Sequence, residues 1–253
     1  MYATERQQRI MAEARQAGRV EVGLLTELLG VTSETVRRDL TALEQRGSLR
    51  RVHGGAIPVE RLEVEPTLDA RRDRLAAEKG RIAARALELV PAGGSVIVDA
   101  GTTTQALITA LPTDIRLTVV TNSLAAATVL SGHPNVELLF LGGRVRGRTG
   151  ASVGTWATTA LTDLCVDVAF MGTNGFSPER GLTTPDQSES LVKAGFVRAA
   201  RQVVLLADAT KYGDAYLHRF ATLDQIDLVL TDDSLPDDSA AELTAAGPEV
   251  VRA

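Results

Sequence analysis

The residues whose side chains are best suited to bind a ligand stand directly after short apolar runs. The first motif reads DAGTTT over residues 99–104, where Gly101 allows a close backbone turn. Its three threonines supply hydroxyls and N–H groups at the start of a predicted helix. The unpaired N–H groups and the helix dipole both favour an anion at such a position. We therefore predict that a phosphate group binds at residues 101–104.

Polar residues also follow the later apolar runs. The motifs TNS, LGGR, GTNG, GLTTPD and ADATKYG combine small hydrogen-bonding side chains, glycines, carboxylates that accept from hydroxyl groups, and lysines that pair with phosphate or carbonyl oxygens. Taken singly, most fit an Asx turn, a helix cap or a solvated lysine better than a ligand contact. Together, on one sheet edge, they favour a ligand site. The predicted contacts are Asp99, Gly101, Thr102, Thr103, Thr104, Thr121, Asn122, Ser123, Gly142, Gly143, Gly172, Thr173, Gly175, Asp186, Lys193, Asp208 and Lys211.

The apolar runs predict the fold of this part of the chain. They are rich in Val and Leu and alternate with stretches of helical spacing, which is typical of a mostly parallel sheet covered by helices on both faces. In such sheets, ligands bind beyond the carboxyl ends of the strands. The predicted strands cover residues 95–100, 117–122, 136–143, 166–173, 202–208 and 228–233, and the predicted helices cover residues 76–90, 103–111, 124–131 and 188–200.

A second group of residues suited to binding lies in TSETVRRDLTALEQRGSLRRVHGGA, residues 32–56. At 100° per residue, an apolar stripe falls on one side of this predicted helix, and it consists of Val36, Leu40 and Leu43. Arg37 and Arg38 lie on the opposite side. Adjacent arginines flanked by hydroxyls near a helix N-terminus suit the major groove of DNA, where they reach guanine edges or phosphates. A solvated charged face is the alternative interpretation.

The neighbouring segments favour DNA binding. Helices predicted over residues 5–17, 23–29 and from Thr32 or Ser33 to just before Gly47 form a helix-turn-helix, and residues 48–58 read as a short hairpin, or wing. The predicted DNA contacts are Thr32, Ser33, Thr35, Arg37, Arg38, Thr41, Arg51 and His53. His53 could alternatively bind a metal, but the sequence has no second His or Cys nearby, and we predict no metal site.

Length and charge support two domains with different roles. The chain has 253 residues and a net charge of −5, with nine arginines against seven acidic residues in the first 58. A slightly basic head therefore precedes an acidic body. We predict a winged helix-turn-helix domain at residues 1–58, a linker with a local helix near its end at residues 59–75, and a ligand-binding domain at residues 76–253.

The remaining sequence features narrow the class of protein. The sequence lacks a GxGxxG or GxxxxGK[ST] motif, so we predict that the protein binds no nucleotide and no other cofactor. We find no signal peptide and no run of about 18 apolar residues, which predicts a cytoplasmic protein that does not contact the membrane. Cys165 is the only cysteine. It cannot form an internal disulfide, and we expect it to pack.

Two sets of motifs resemble one family of bacterial transcription regulators, the DeoR family. RQQRI and LTELLGVTSETVRRDLTALEQRGSLRRVHGGA, from about Arg6 to Ala56, resemble its DNA-binding domain. The series DAGTTT, TNS, LGG, GTNG, GLTTPD, ADATKYG and TDD, across about residues 75–235, resembles its sensor domain. The resemblance implies an α/β chain in which an N-terminal winged helix-turn-helix is joined to a mostly parallel α/β sensor domain similar to sugar-phosphate isomerases.

The same resemblance implies a function. The chain is expected to bind double-stranded operator DNA as a dimer or tetramer and to repress a sugar-uptake or catabolic operon. A phosphorylated sugar is expected to be the effector, with its phosphate at residues 101–104. Its sugar would lie near Asp99, Asn122, Asp186, Lys193, Asp208 and Lys211. The alternative is a sugar-phosphate isomerase or deaminase with an appended DNA-binding domain, using a carboxylate base from Asp99, Asp186, Glu189 or Asp208. A protein-interaction winged helix is a weaker third possibility.

Overall fold

Two units make up the chain, residues 1–65 and residues 66–253, and each has its own hydrophobic core. The computed structural model describes residues 3–45, 48–52, 54–58 and 67–253. The division between the units falls within the stretch predicted as a linker. His53, a predicted DNA contact, and Gly47, the predicted stop of the third helix, lie outside the described residues.

Among the described residues of the N-terminal unit, three helices follow one another as predicted. They are α1 (Ala3–Ala17), α2 (Val22–Leu29) and α3 (Ser33–Gln45). Gly30 ends α2 in the left-handed region, at φ 63°, and its N–H bonds to Thr26 O at 3.0 Å. The Thr32 hydroxyl accepts from the Thr35 N–H at 3.3 Å and so caps the start of α3. These two local signals place the turn of the helix-turn-helix.

The buried face of α3 has one polar member. The predicted apolar stripe is buried and consists of Val36, Leu40 and Leu43. Asp39 lies on the same helix and is only 4% exposed. Its carboxylate accepts from Arg6 Nε at 2.6 Å and from Gln7 Nε2 at 3.0 Å. Because buried charges are retained only when paired, Asp39 ties α3 to α1, a role that helical periodicity does not indicate.

A small antiparallel sheet completes the unit and confirms the predicted wing. Its strands are β1 (Val20–Glu21), β2 (Leu49–Val52) and β3 (Gly55–Pro58), in the spatial order β1-β3-β2. The hairpin of β2 and β3 pairs Val52 with Gly55. The wing is therefore held by a third strand, which pairs with the first two residues of β3 and which the sequence did not indicate.

Gly54 and Gly55, which are adjacent in the wing, have different roles. Gly54 lies in the turn with φ 75°, a left-handed conformation. Gly55 is instead a paired strand residue, and a Cβ atom there would lie 1.9 Å from Val20 O. Since no side chain fits this gap, the approach of β1 to β3 requires glycine at position 55.

A parallel sheet forms the centre of the C-terminal unit, as predicted. The strands of the unit are β4 (Ser95–Val98), β5 (Leu117–Thr121), β6 (Val136–Phe140), β7 (Arg144–Val145), β8 (Ser152–Val153), β9 (Val166–Met171), β10 (Gly175–Ser177), β11 (Gly181–Thr184), β12 (Ala200–Leu206), β13 (His218–Ala221), β14 (Leu228–Thr231) and β15 (Glu249–Arg252). Within residues 67–253, seven of them form the parallel sheet, in the order β15-β14-β12-β9-β4-β5-β6.

Helices cover both faces of this sheet. They are α4 (Leu68–Arg72), α5 (Ala76–Leu87), α6 (Thr102–Ala110), α7 (Leu124–Leu130), α8 (Thr155–Ala160), α9 (Gln187–Ala199) and α10 (Asp237–Ala245). Ile82 and Leu107 belong to the core on one face, and Phe196 and Leu243 to the core on the other. The double cover explains why the strands read as continuous apolar runs.

The six predicted strands and four predicted helices of this unit are confirmed, and α4 is the local helix predicted near the end of the linker; the other elements were not predicted. The edge strand β15 contains two partly buried valines, which is too short an apolar signal. Two smaller sheets, β10-β11-β13 and β7-β8, consist of strands of two to four residues. Strands this short carry no readable alternation, so periodicity could not reveal them.

Cys165 differs from expectation. It is a free, exposed thiol, and the prediction that it packs is wrong. The core begins one residue later, at Val166, the first residue of β9. Across the described residues, none of the helices is long and apolar enough to cross a membrane.

The close approach at Gly55 predicts a large difference between two glycine substitutions. Gly55→Ala is expected to destabilise the N-terminal unit by about 1–3 kcal/mol, because the methyl group collides with the β1 backbone. Gly23→Ala on α2, where a Cβ meets no atom within 4 Å, should stabilise it by roughly 0.5–1 kcal/mol. Hydrogen exchange of α3 amides in the full chain measures the stability of the N-terminal unit in both variants. Equal exchange in the two variants would contradict the proposed collision.

Candidate functional site

A buried ion pair joins three elements at the carboxyl edge of the parallel sheet. Lys193 on α9 contacts Asp99 Oδ2, which follows β4, and also donates to Gly172 O, which follows β9, at 3.0 Å. The Gly172 N–H donates to the same Asp99 oxygen at 3.0 Å. Two predicted site residues 94 positions apart in sequence are thus in direct contact.

The second carboxylate oxygen of Asp99 is buried. Asp99 is 1% exposed, and within the described residues its Oδ1 atom has no hydrogen-bond partner. Burial raises the pKa of Asp99, while the Lys193 ammonium and the Gly172 N–H lower it. An unsatisfied buried oxygen costs about 1–3 kcal/mol. A hydroxyl donor at this atom would remove that cost.

The start of α6 lies next to Asp99 in the chain and opens on a cavity. The Thr104 hydroxyl donates to Asp99 O at 2.7 Å and to Gly101 O at 3.0 Å, which holds the turn. Thr103 is also buried. Gly101 and the half-buried Thr102 line a cavity of about 780 Å³. The first N–H groups of a helix have no partners within that helix, so this start can accept an anion.

Three further predicted contacts hold the neighbouring strand ends together. The Thr121 hydroxyl donates to the last carbonyl of β4 at 2.6 Å. Asn122 Oδ1 accepts from the Ala100 N–H at 3.1 Å, and Ser123 Oγ caps α7 by accepting from the Ala126 N–H at 3.2 Å. All three side chains are buried. Their polar atoms position the loops around Asp99 and Gly101.

The predicted glycine-rich contacts are spread along the sheet edge. Gly142 and Gly143 follow β6, two strands away from β4. Gly175 packs against backbone, because a Cβ there would lie 2.2 Å from Asp214 O. The Thr173 hydroxyl donates to Gly175 O at 2.8 Å. Apart from Gly172, this group is therefore separated from the Asp99 pair or engaged in loop structure.

Asp186 belongs to a second ionic cluster. It caps α9 by accepting from the Glu189 N–H at 2.9 Å, and it pairs with Arg146 Nε at 3.2 Å. Arg146 Nη1 also contacts Glu189, which is 4% exposed, at 2.6 Å, and Thr149 donates its hydroxyl to Glu189. Both carboxylates are therefore engaged with a single guanidinium.

Lys211 lies in a group of cations near the end of β12. Burial lowers the pKa of Lys211; Arg71 and Arg74 lower it further, while Asp208 opposes them. Burial also lowers the pKa of Lys79, and Lys211, Arg71 and Arg74 act on it in the same direction. We call Lys79, Lys211, Arg71 and Arg74 the cationic cluster. Only Lys211 was predicted, because the basic run before Lys79 read as linker.

Exposed arginines cover the outer face of α3. Arg37 and Arg38 are exposed, as is Ser33 at the first turn. Thr35 is half-buried, and its hydroxyl lies 3.0 Å from that of the capping Thr32. The helix therefore presents its basic pair away from the buried stripe.

Two predicted DNA contacts fasten the wing to α3. Arg51 Nη1 donates to the Thr41 hydroxyl at 3.1 Å, and Thr41 donates to Arg37 O at 2.9 Å. The Arg51 N–H donates to Glu44 Oε1 at 2.9 Å. These bonds set the position of β2 relative to the helix, a structural role that the sequence pattern did not indicate.

A winged helix-turn-helix combined with a separate parallel α/β unit is the architecture of a transcription regulator with a sensor domain. Residues 6–61 match the DeoR-like helix-turn-helix domain, and residues 75–233 match the DeoR C terminal sensor domain. The chain belongs to the DeoR family of transcriptional regulators.

Relatives are similar along nearly their whole length. The transcriptional regulator GlpR of Haloferax volcanii is 39% identical over 251 residues, covering 99% of this chain and 98% of the relative. The transcriptional repressor GlcR of Bacillus subtilis is 34% identical over 244 residues, covering 96% and 93%. The transcriptional regulator GolR of Listeria innocua is 33% identical over 235 residues, covering 93% and 92%.

Solved structures match parts of the chain. Ribose 5-phosphate isomerase A from Methanocaldococcus jannaschii has 18% identity over 53% of each chain, with a TM-score of 0.39. The eIF2B beta subunit from Chaetomium thermophilum has 13% identity over 62% of this chain and 49% of its own, with a TM-score of 0.43.

The buried ion pair predicts a specific pattern of stability. Lys193→Met should destabilise the C-terminal unit by about 3–5 kcal/mol, because it leaves the Asp99 carboxylate buried and unpaired. Adding Asp99→Asn should recover most of this loss. Urea denaturation of the full chain measures both, and Arg198→Met on the exposed side of α9 serves as control, with a change within about 0.5 kcal/mol. An equal loss in the single and double variants would contradict the account.

Proposed function

We propose that this chain is a repressor of a sugar-uptake or catabolic operon, and that a phosphorylated sugar modulates its binding to operator DNA. The observation that carries the proposal is the juxtaposition, at one sheet edge, of a helix start suited to an anion and a buried carboxylate oxygen without a partner. Its relatives include a transcriptional regulator and a transcriptional repressor, which supports the proposal.

The start of α6 is the proposed phosphate site. Gly101, Thr102 and Lys79 line the same cavity. Backbone N–H groups, the positive end of a helix dipole and an ammonium group are the usual partners of a phosphate. The pKa of Lys79 is lowered by burial, and a bound anion would restore its preference for the charged form.

The sugar is proposed to bind through carboxylates at the neighbouring strand ends. Asp99 Oδ1 is buried without a partner among the described residues, so a sugar hydroxyl can donate to it. Asp208 follows β12 and is also buried, with one oxygen accepting from the Thr210 hydroxyl. Asn122, Asp186, Lys193 and Lys211 complete the proposed set.

Sensing is favoured over turnover by the state of the acidic groups. An isomerase or deaminase needs a carboxylate base poised beside the carbon atoms that react. Asp99 is bound to Lys193, while Asp186 and Glu189 share Arg146. We therefore propose that the chain is not an enzyme. Turnover of ribose 5-phosphate or a hexose phosphate by the purified chain would overturn this.

The N-terminal unit is proposed to bind DNA through α3 and the wing. We assign residues 1–58 to this domain, residues 59–75 to a linker and residues 76–253 to the sensor, in a cytoplasmic protein. One winged helix contacts few base pairs, and symmetric operators are read by paired heads. A homodimer or homotetramer is therefore proposed.

Operator binding tests the DNA-facing assignment. Arg38→Ala should weaken binding by roughly 1–3 kcal/mol and reduce the salt dependence, because the exposed guanidinium would contact a base edge or phosphate. Arg9→Ala, which removes an exposed arginine from α1, is the matched control and should leave affinity nearly unchanged. Gel shifts at fixed salt measure both. If Arg38→Ala binds as tightly as the parent chain, Arg38 does not belong to the interface.

The effector site is tested by a charge at the start of α6. Thr102→Glu should abolish the response of operator binding to phosphorylated sugars without preventing DNA binding, because a carboxylate would occupy the anion position and repel phosphate. Thr159→Glu, at an exposed position of α8 outside this cavity, is the control and should retain the response. A full response in Thr102→Glu would place the phosphate elsewhere. If no phosphorylated sugar alters the affinity of the parent chain, the sensor proposal fails.

A further inference from the structure

The segment of residues 67–79, which we call the strap, lies against the proposed phosphate site. It contains α4 and the turn into α5. The Leu68 N–H donates to Arg148 O at 3.1 Å, and α4 packs on α6. Leu68, Arg72 and Lys79 line the same cavity as Gly101 and Thr102. One wall of the cavity is therefore made by the last part of the predicted linker and the first turn of α5.

A single buried ammonium group holds the strap in its turn. Lys79 is 5% exposed, and its Nζ donates to both Arg71 O and Arg74 O. Between them and α5, Leu75 has φ 55° and ψ 41°, which makes it the only non-glycine residue with positive φ among those described. This conformation is unfavourable for a leucine. The turn therefore depends on the bonds that Lys79 makes across it.

That ammonium group lies among like charges. Lys79 is opposed electrostatically by Lys211, Arg71 and Arg74, and supported by Asp208. Without a further anion, repulsion within the cationic cluster weakens the interaction that closes the strap. An anion in the cavity would offset it, because two of the three ammonium protons bond to strap carbonyls and the third can bond to the anion.

We propose that the phosphate group of the effector closes the strap by binding between the start of α6 and Lys79. This inference rests on the proposed function and extends it, because it says how occupancy of the site changes the chain. Lys79 then contacts the ligand and the Arg71 and Arg74 carbonyls at the same time. Arg71 and Arg74 contribute positive charge to the same anion.

Closure of the strap would shorten the connection between the two units. Residues 67–75 belong to the strap, and an extended chain spans up to about 3.3–3.6 Å per residue. Releasing these nine residues would add up to about 30 Å of reach to the connection. Because the effective concentration of tethered heads depends on tether length, strap closure would alter paired binding to an operator.

Hydrogen exchange of the full chain tests the strap directly. The probes are inorganic phosphate and D-glucose 6-phosphate, with D-glucose as the unphosphorylated control, and a thermal shift reports binding. In the parent chain, the phosphorylated probe that binds should slow exchange of amides 67–78 by about fivefold or more. D-glucose should not.

Two variants assign the effect to Lys79. Lys79→Met keeps the length of the side chain but cannot donate, so its strap should exchange faster and gain no protection from the probes. Arg85→Met removes an exposed cation from the same helix and should behave like the parent chain. Exchange of β4 and β9 amides monitors the fold of each variant. Equal protection of the strap in Lys79→Met and the parent chain would overturn the proposal.

The remaining outcomes separate this inference from the proposed function. If a phosphorylated probe binds and alters operator affinity while strap exchange is unchanged, the strap proposal fails and the sensor proposal stands. If the strap is protected but operator affinity never changes, the strap proposal is supported and the sensor proposal fails. If neither phosphate, D-glucose 6-phosphate nor a wider panel of phosphorylated sugars binds the chain, both fail.

Discussion

Asp99 and Lys193 carry opposite charges into the buried edge of the parallel sheet, where neither is stable without the other. Their contact, with the Gly172 backbone included, joins β4, β9 and α9. The proposed ligand site depends on this interaction. It fixes the strand ends beside which α6 begins, and it leaves one carboxylate oxygen facing no donor among the described residues.

Most polar side chains around that pair bond to the backbone and hold the loops of the proposed site in place. Thr121, Asn122 and Ser123 bond to backbone groups of adjacent loops, and Thr104 closes the turn before α6. In the proposed site, an anion would therefore be recognised by the N–H groups of the α6 start and by the lysines near it. Loops with satisfied hydrogen bonds would present the N–H groups in one arrangement, which limits the conformational entropy lost in those loops when a ligand binds.

Local pattern was enough to predict the elements that repeat regularly. The α3 stripe, the six apolar strands and the wing follow from spacing of 3.6 or 2 residues and from continuous apolar runs, and the structure confirms them. Strands such as β7 and β10 are too short to show a period. No local pattern indicates the buried role of Asp39, because its partners Arg6 and Gln7 lie 33 and 32 residues away.

The sequence alone determined the two-part architecture, the family and the positions of the polar strand ends, because each depends on residues close together in the chain. Tertiary structure decided which of those residues meet. It paired Asp99 with Lys193, moved Asp186 into a cluster with Arg146, and brought Lys79 beside Lys211. Such contacts join residues up to about a hundred and thirty positions apart. They arise only when the sheet closes, and no local period encodes them.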